Sequence, residues 1–190
     1  MADALSTRLN KLPDPTKQDD YSARYRRELI MEWAITALEN SKRKEDIIPL
    51  LKQEAPITYC YETLVKHLLS ARRKTDARKA AVEGFEKTIG LLPGIAWRLA
   101  SQLREMARRD KNLPLVASYR AMEFFNQPIL ETYRNLKKTT QAIDEWLSIR
   151  ETVLHFLETG IRPDIPSTKG KKGKPPSTTK TWVLPATEIS

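Results

Sequence analysis

Between about Tyr21 and Thr159, apolar residues recur at the three- and four-residue spacing of helices that bury one face, and breaks in the pattern cut this stretch into eight segments. The first carries Ile30, Trp33, Ala34, Ala37 and Leu38. After SKRKED, a shorter one carries Ile47, Leu50, Leu51 and Ala55, and its Pro49 requires a start near Glu45 or Asp46. The third presents Tyr61, Leu64, Val65 and Leu68. The fourth has a small-residue face of Ala77, Ala80, Ala81, Gly84 and Phe85. LLPG separates it from a fifth, with Ala96, Leu99, Ala100, Leu103 and Ala107. Asn112 is placed to cap a sixth, with Pro114 in its first turn and Leu115, Tyr119 and Met122 as its stripe. Pro128 opens a seventh, with Leu130, Tyr133 and Leu136. The eighth carries Ile143, Trp146, Leu147, Leu154 and Leu157 and stops at Gly160.

The odd-numbered segments begin near residues 21, 59, 94 and 128, a recurrence of roughly 34–38 residues that matches a helix–turn–helix unit of the tetratricopeptide type. The expected fold is therefore all-α, a tetratricopeptide-like solenoid of four helix pairs at 21–56, 57–91, 92–127 and 128–160; a compact irregular helical bundle is the alternative. Residues 1–20 read as a poorly ordered arm, 161–181 as a flexible basic linker, and 182–190 as a short apolar terminal segment. With six glycines and little Val/Ile/Thr alternation, a sheet is not expected.

Charge adds a second pattern to the first. The net charge is +9, and the turns inside the units read as basic: Lys42-Arg43-Lys44, Arg72-Arg73-Lys74, Arg108-Arg109 with Lys111, and Lys137-Lys138. Arg78, Lys79 and Arg104 lie close by in sequence. In a solenoid, equivalent turns share one edge, so these cations form a positive ridge that would suit an acidic partner or a nucleic-acid backbone. The simpler account is that cations at helix C-termini offset the macrodipole. The aromatics Tyr61, Phe85, Tyr119 and Trp146 fall on expected core stripes, which leaves no stacking platform for sequence-specific base reading. Lys169, Lys171, Lys172 and Lys174 of the tail are a further phosphate-binding candidate, or keep the tail soluble. Trp182, Val183 and Leu184 read as a docking anchor, folding back on the array in preference to being offered to a partner.

Candidate chemistry is sparse. Cys60 is the single cysteine, and His67 and His155 fall in different units without ligand spacing, so no metal or cofactor is expected. No glycine-rich phosphate loop and no HExxH stand in the chain, and the expectation is a non-enzymatic protein. No apolar run approaches the ~20 residues of a membrane span and no secretory signal is legible, so the default location is the cytoplasm.

The run ALENSKRKEDIIPLLKQEAPITYCYETLVKHLLSARRKTDARKAAVEGFEKT, followed by LPGIAWRLASQLREMARR, LPLVASYRAMEFF, FLETGIRP and WVLP, resembles the helical C-terminal region of bacterial SWIM-type zinc-finger proteins. The resemblance implies a role beside DNA or protein partners, with a Swi/Snf-type helicase as the expected partner. The defining CxC…CxH motif is missing, so no zinc ligand carries over to this chain. The leading expectation is a protein–protein interaction module; direct, sequence-independent nucleic-acid binding through the basic turns and the lysine tail is the alternative.

Overall fold

The computed structural model describes residues 1–13 and 21–163, and the tail lysines and the Trp182-Val183-Leu184 anchor lie outside them. Among the described residues every regular element is helical: α1 (Ala2–Lys11), α2 (Tyr21–Asn40), α3 (Ile47–Thr58), α4 (Tyr61–Ser70), α5 (Lys74–Thr88), α6 (Pro93–Arg109), α7 (Leu113–Asn126), α8 (Leu130–Gln141) and α9 (Trp146–Thr159). A 3-10 turn at Lys44–Asp46 leads into α3, so Pro49 falls in its first helical turn, where no intrahelical N–H is required. The chain forms two compact units, Met1–Leu103 and Arg104–Ser190, with the boundary inside α6.

Four of the connections are built alike. Lys42, Arg72, Lys111 and Asp144 each adopt the left-handed conformation, with φ of 60°, 59°, 57° and 58°. Their N–H groups donate to Glu39, Leu69, Arg108 and Gln141, while those of Arg43, Arg73, Asn112 and Glu145 reach back to Leu38, Leu68, Ala107 and Thr140. These paired bonds are the Schellman closure, which satisfies the last carbonyls of a helix and reverses the chain. The four residues reached, Leu38, Leu68, Ala107 and Thr140, are buried, as is the inward residue of each following helix: Ile47, Ala77, Val116 and Ile149. One turn geometry thus reverses the chain at four places. Its recurrence is uneven, with the left-handed residues thirty, thirty-nine and thirty-three positions apart.

In the first unit consecutive helices pack on one another, and α1, α2 and α4 also meet the helix next but one. Gln53 of α3 donates to Asn10 of α1 at 2.8 Å, Cys60 before α4 lies 3.5 Å from the sulfur of Met31 in α2, and Arg98 of α6 pairs with Glu62 of α4 at 2.9 Å. The expected loose arm contains α1, which docks through the fully buried Leu9. That helix was illegible because ALSTRLNK carries only two leucines, Leu5 and Leu9, too short a run to establish a period. Gly84 explains the small-residue face of α5. A Cβ there would stand 2.5 and 2.6 Å from the Cγ and Cβ of Tyr61 and 2.8 Å from Leu99, so a glycine is needed for α5 to lie this close to α4 and α6. Where α5 has Gly84, the equivalent position of α3 has Glu54, fully buried and held by Arg27 through bonds of 2.6 and 3.0 Å.

The second unit has its own aromatic core. Phe124 and Phe125 of α7, Leu136 of α8, and Ile149, Val153 and Phe156 of α9 are buried together, with Tyr133 and Trp146 packed alongside. Edge-to-face contacts join Phe156 to Phe124 and Phe125 with centroids 5.9 and 5.2 Å apart. Three expected stripes need correcting. α8 turns Leu136 inward with Tyr133 alongside and leaves Leu130 exposed. α9 turns Ile149, Val153 and Phe156 inward, leaving Leu147, Leu154 and Leu157 exposed. α2 buries Ile30, Met31, Ala34, Ile35 and Leu38, with Trp33 half outside. The sequences of α9 and α2 are apolar on more than one face, and periodicity by itself does not rank the faces.

Candidate functional site

A cavity of about 320 Å³ opens in the first unit, bordered by the starts of α2, α4 and α6 and by the α3–α4 connection. The helix order brings these ends together because α2, α4 and α6 each begin a hairpin. Tyr21 and Tyr25, one turn apart on α2, stack with centroids 6.2 Å apart and rings 13° from parallel, and both are exposed. The Arg24 guanidinium lies 5.2 Å above the ring of Tyr59, a left-handed residue between α3 and α4. Opposite them, the Arg98 guanidinium Nε donates to both carboxylate oxygens of Glu62. Burial, with the nearby Glu32 carboxylate, holds the carboxyl of Glu28 above its usual range. At the edge of the cavity Cys60 is buried, and burial pushes its thiol up to about 11, so it stays a neutral, unreactive thiol near neutral pH. The lining is aromatic and ion-paired. Among the described residues no three of His, Cys, Asp and Glu converge as a metal-holding group.

The basic turns divide into cations with different roles. The middle arginines are occupied: Arg43 bonds Asp46 through Nε and Nη2 and Asp3 through Nη1, while Arg73 bonds Asp76. Those guanidinium groups hold the carboxyls of Asp3 and Asp76 below their ordinary range. Lys42, Arg72 and Lys111 sit just past helix C-termini, where the dipole gain of ~0.3–1 kcal/mol offsets part of the ~1–2 kcal/mol cost of a left-handed side-chain-bearing residue. Arg108 and Arg109 occupy the last turn of α6, the favourable end, and Arg108 pairs with Glu105. Arg78 lies in the second turn of α5 and is half-buried. Lys44 and Lys74 are different. They open the 3-10 turn and α5, the helix ends that disfavour cations, and they are exposed without an ion pair among the described residues.

The fourth basic turn is corrected. Lys137 and Lys138 lie within α8, and the turn is Ala142-Ile143-Asp144-Glu145, which is acidic. Lys137 is engaged over the Trp146 ring at 5.7 Å. Arg104 is half-buried and paired with Glu123, and desolvation, with Arg120 nearby, lowers its pKa. Tyr21 and Tyr25 lie off the apolar stripes; their signal in the sequence is the YSARY spacing, two aromatics four residues apart with an arginine between them. Comparison of the chain with family models, curated proteins and solved structures gives no match.

Proposed function

We propose that this protein is a non-enzymatic, tetratricopeptide-like interaction module, an α-solenoid of helical hairpins that holds a polypeptide segment of a partner in the groove of its first unit. The observation that carries the reading is the 320 Å³ opening at the starts of three hairpins, with the exposed Tyr21–Tyr25 stack beside it. The four matching Schellman turns and the contacts of α1 with α3 and of α4 with α6 support the stacked arrangement. Two solvent-exposed tyrosines at one groove are typical anchors of protein recognition, because they offer contact area with few rotatable bonds. The narrower form of the proposal, carried from the sequence resemblance, makes the partner a Swi/Snf-type helicase of a nucleic-acid-processing complex in the cytoplasm.

Affinity capture with the full chain tests this. The wild type should retain a discrete partner that Tyr21→Ala/Tyr25→Ala loses, with truncation of anchor aromatics weakening binding by ~2 kcal/mol or more. Equal capture by both proteins, with the variant's helical content unchanged, removes the groove from the proposal.

Lys44 and Lys74 favour a second reading, attraction of an acidic partner or a nucleic-acid backbone to the first-unit turns. Their placement at helix starts has no local electrostatic benefit. Duplex DNA binding measured against salt should lose about 1.8 from its log–log slope in Lys44→Gln/Lys74→Gln. An unchanged slope rules these lysines out as phosphate contacts.

A further inference from the structure

α9 carries two apolar faces, and only one is covered. Ile149, Val153 and Phe156 are buried in the second unit, whereas Leu147, Leu154, Leu157 and Ile161 are 77, 41, 53 and 64% exposed. The three leucines share a face because they are separated by seven and three positions, and Ile161 follows just past the Gly160 stop. The leucines form a stripe, interrupted by Arg150, on the last helix among the described residues, where a stacked helical array needs a polar cap to remain soluble. Glu151 and Glu158, both exposed, flank the stripe one helical turn from its leucines, and the α8–α9 turn beside it is Asp144-Glu145.

We infer that this stripe is the docking site of the chain's own Trp182-Val183-Leu184 segment. Reach, charge and area point to that occupant. Eighteen residues rich in Pro, Gly, Ser, Thr and Lys separate Pro163 from Trp182. Eighteen residues span at most about 60 Å when fully extended, well beyond the ~21 Å length of α9, so the anchor can reach any point of the stripe and meets it intramolecularly. Lys169, Lys171, Lys172 and Lys174 sit on this connection, and the acidic flank of α9 attracts them, whereas the basic turns at Lys42–Lys44 and Arg72–Lys74 repel them. A second copy of the protein is a poorer occupant. Four partly exposed aliphatic side chains fall well short of the ~800 Å² per partner of a stable dimer, and Arg150 lies within the stripe, where parallel self-pairing would set it against itself.

The test is paramagnetic relaxation in the full chain, with a spin label on Thr187→Cys in a Cys60→Ala background, read at the backbone amides of α9. Docking predicts enhanced relaxation along the outer face of α9, reduced at least about fivefold by Trp182→Ala/Leu184→Ala through loss of the anchor's occupancy. Leu147→Gln/Leu154→Gln should reduce it equally; both are surface positions, and an unchanged circular dichroism spectrum confirms the fold. Relaxation on α9 that persists in the anchor variant overturns the inference, as does strong relaxation on another helix. A concentration-dependent dimer mass abolished by the stripe variant overturns it in favour of a second copy.

Discussion

Replacing Gly84 by Ala tests whether the first unit is held by the close approach of α5 to its neighbours. The added methyl would lie 2.5 Å from Cγ and 2.6 Å from Cβ of Tyr61, and 2.8 Å from a methyl of Leu99. Ordinary contacts of a Cβ begin near 3.4 Å, so the overlap with the tyrosine is almost an ångström. Tyr61 has little freedom to move. Its ring is 1% exposed, its hydroxyl donates to Glu83 at 3.0 Å, and the atoms struck are those next to the backbone. The helices themselves must therefore separate. Overpacking of this kind costs ~1–3 kcal/mol, with the upper end expected where rotation gives no relief. Alanine also gains about 1 kcal/mol of helix propensity over glycine, so the net loss should be ~2 kcal/mol. For a unit of this size that corresponds to a melting point lower by about 10 °C. Urea unfolding followed by far-ultraviolet circular dichroism gives the free energy directly. Gly90→Ala is the control, because a Cβ at Gly90 meets nothing within 4 Å, and its effect should stay within about 0.5 kcal/mol. A Gly84→Ala protein as stable as the wild type would refute the close packing of α4, α5 and α6.

Glu54→Gln removes the carboxylate that neutralises the buried Arg27 guanidinium, which keeps its bond to the Leu12 carbonyl, and should cost ~3–5 kcal/mol, while Arg27→Met/Glu54→Leu should cost much less; equal losses in denaturant titrations would contradict this. The thiol of Cys60, raised from 9.0 to about 11 in the fold, contributes stability that is intact below pH 9. Above pH 9 the unfolded chain releases its thiol proton first, so stability should fall by about 1.4 kcal/mol per pH unit up to the folded value. Subtracting the same titration of Cys60→Ala isolates that slope, and a difference flat between pH 9 and 11 would show that the thiol is not desolvated. Alkylation at pH 8 should likewise be slow in the native protein and fast in urea.

Much of the helical framework was legible because each segment carries its own local instructions. Asn112 accepts from the N–H of Leu115, as a cap before Leu-Pro requires, and Gly160 stops α9 with φ of 71°. Basic residues between apolar stripes marked three of the four turns. The fourth was misplaced because Lys137 and Lys138 resemble a turn in composition, whereas the left-handed residue that reverses the chain is Asp144, a position without glycine to announce it. A Schellman turn is set by backbone bonds to residues five positions back, and side-chain type constrains it weakly.

By itself, the sequence determined the class of structure: period, caps and breaks impose helices of these lengths, since such signals act within a few residues. The tertiary structure decided which face of each helix is inside, and that decision made the groove and the uncovered stripe. Trp33, Tyr21, Tyr25 and Leu147 are as apolar or aromatic as their buried neighbours. Whether each lies in the core or faces solvent depends on how the partner helix approaches, which here is fixed by contacts such as Gly84 against Tyr61 and Glu54 against Arg27 between residues far apart in the chain.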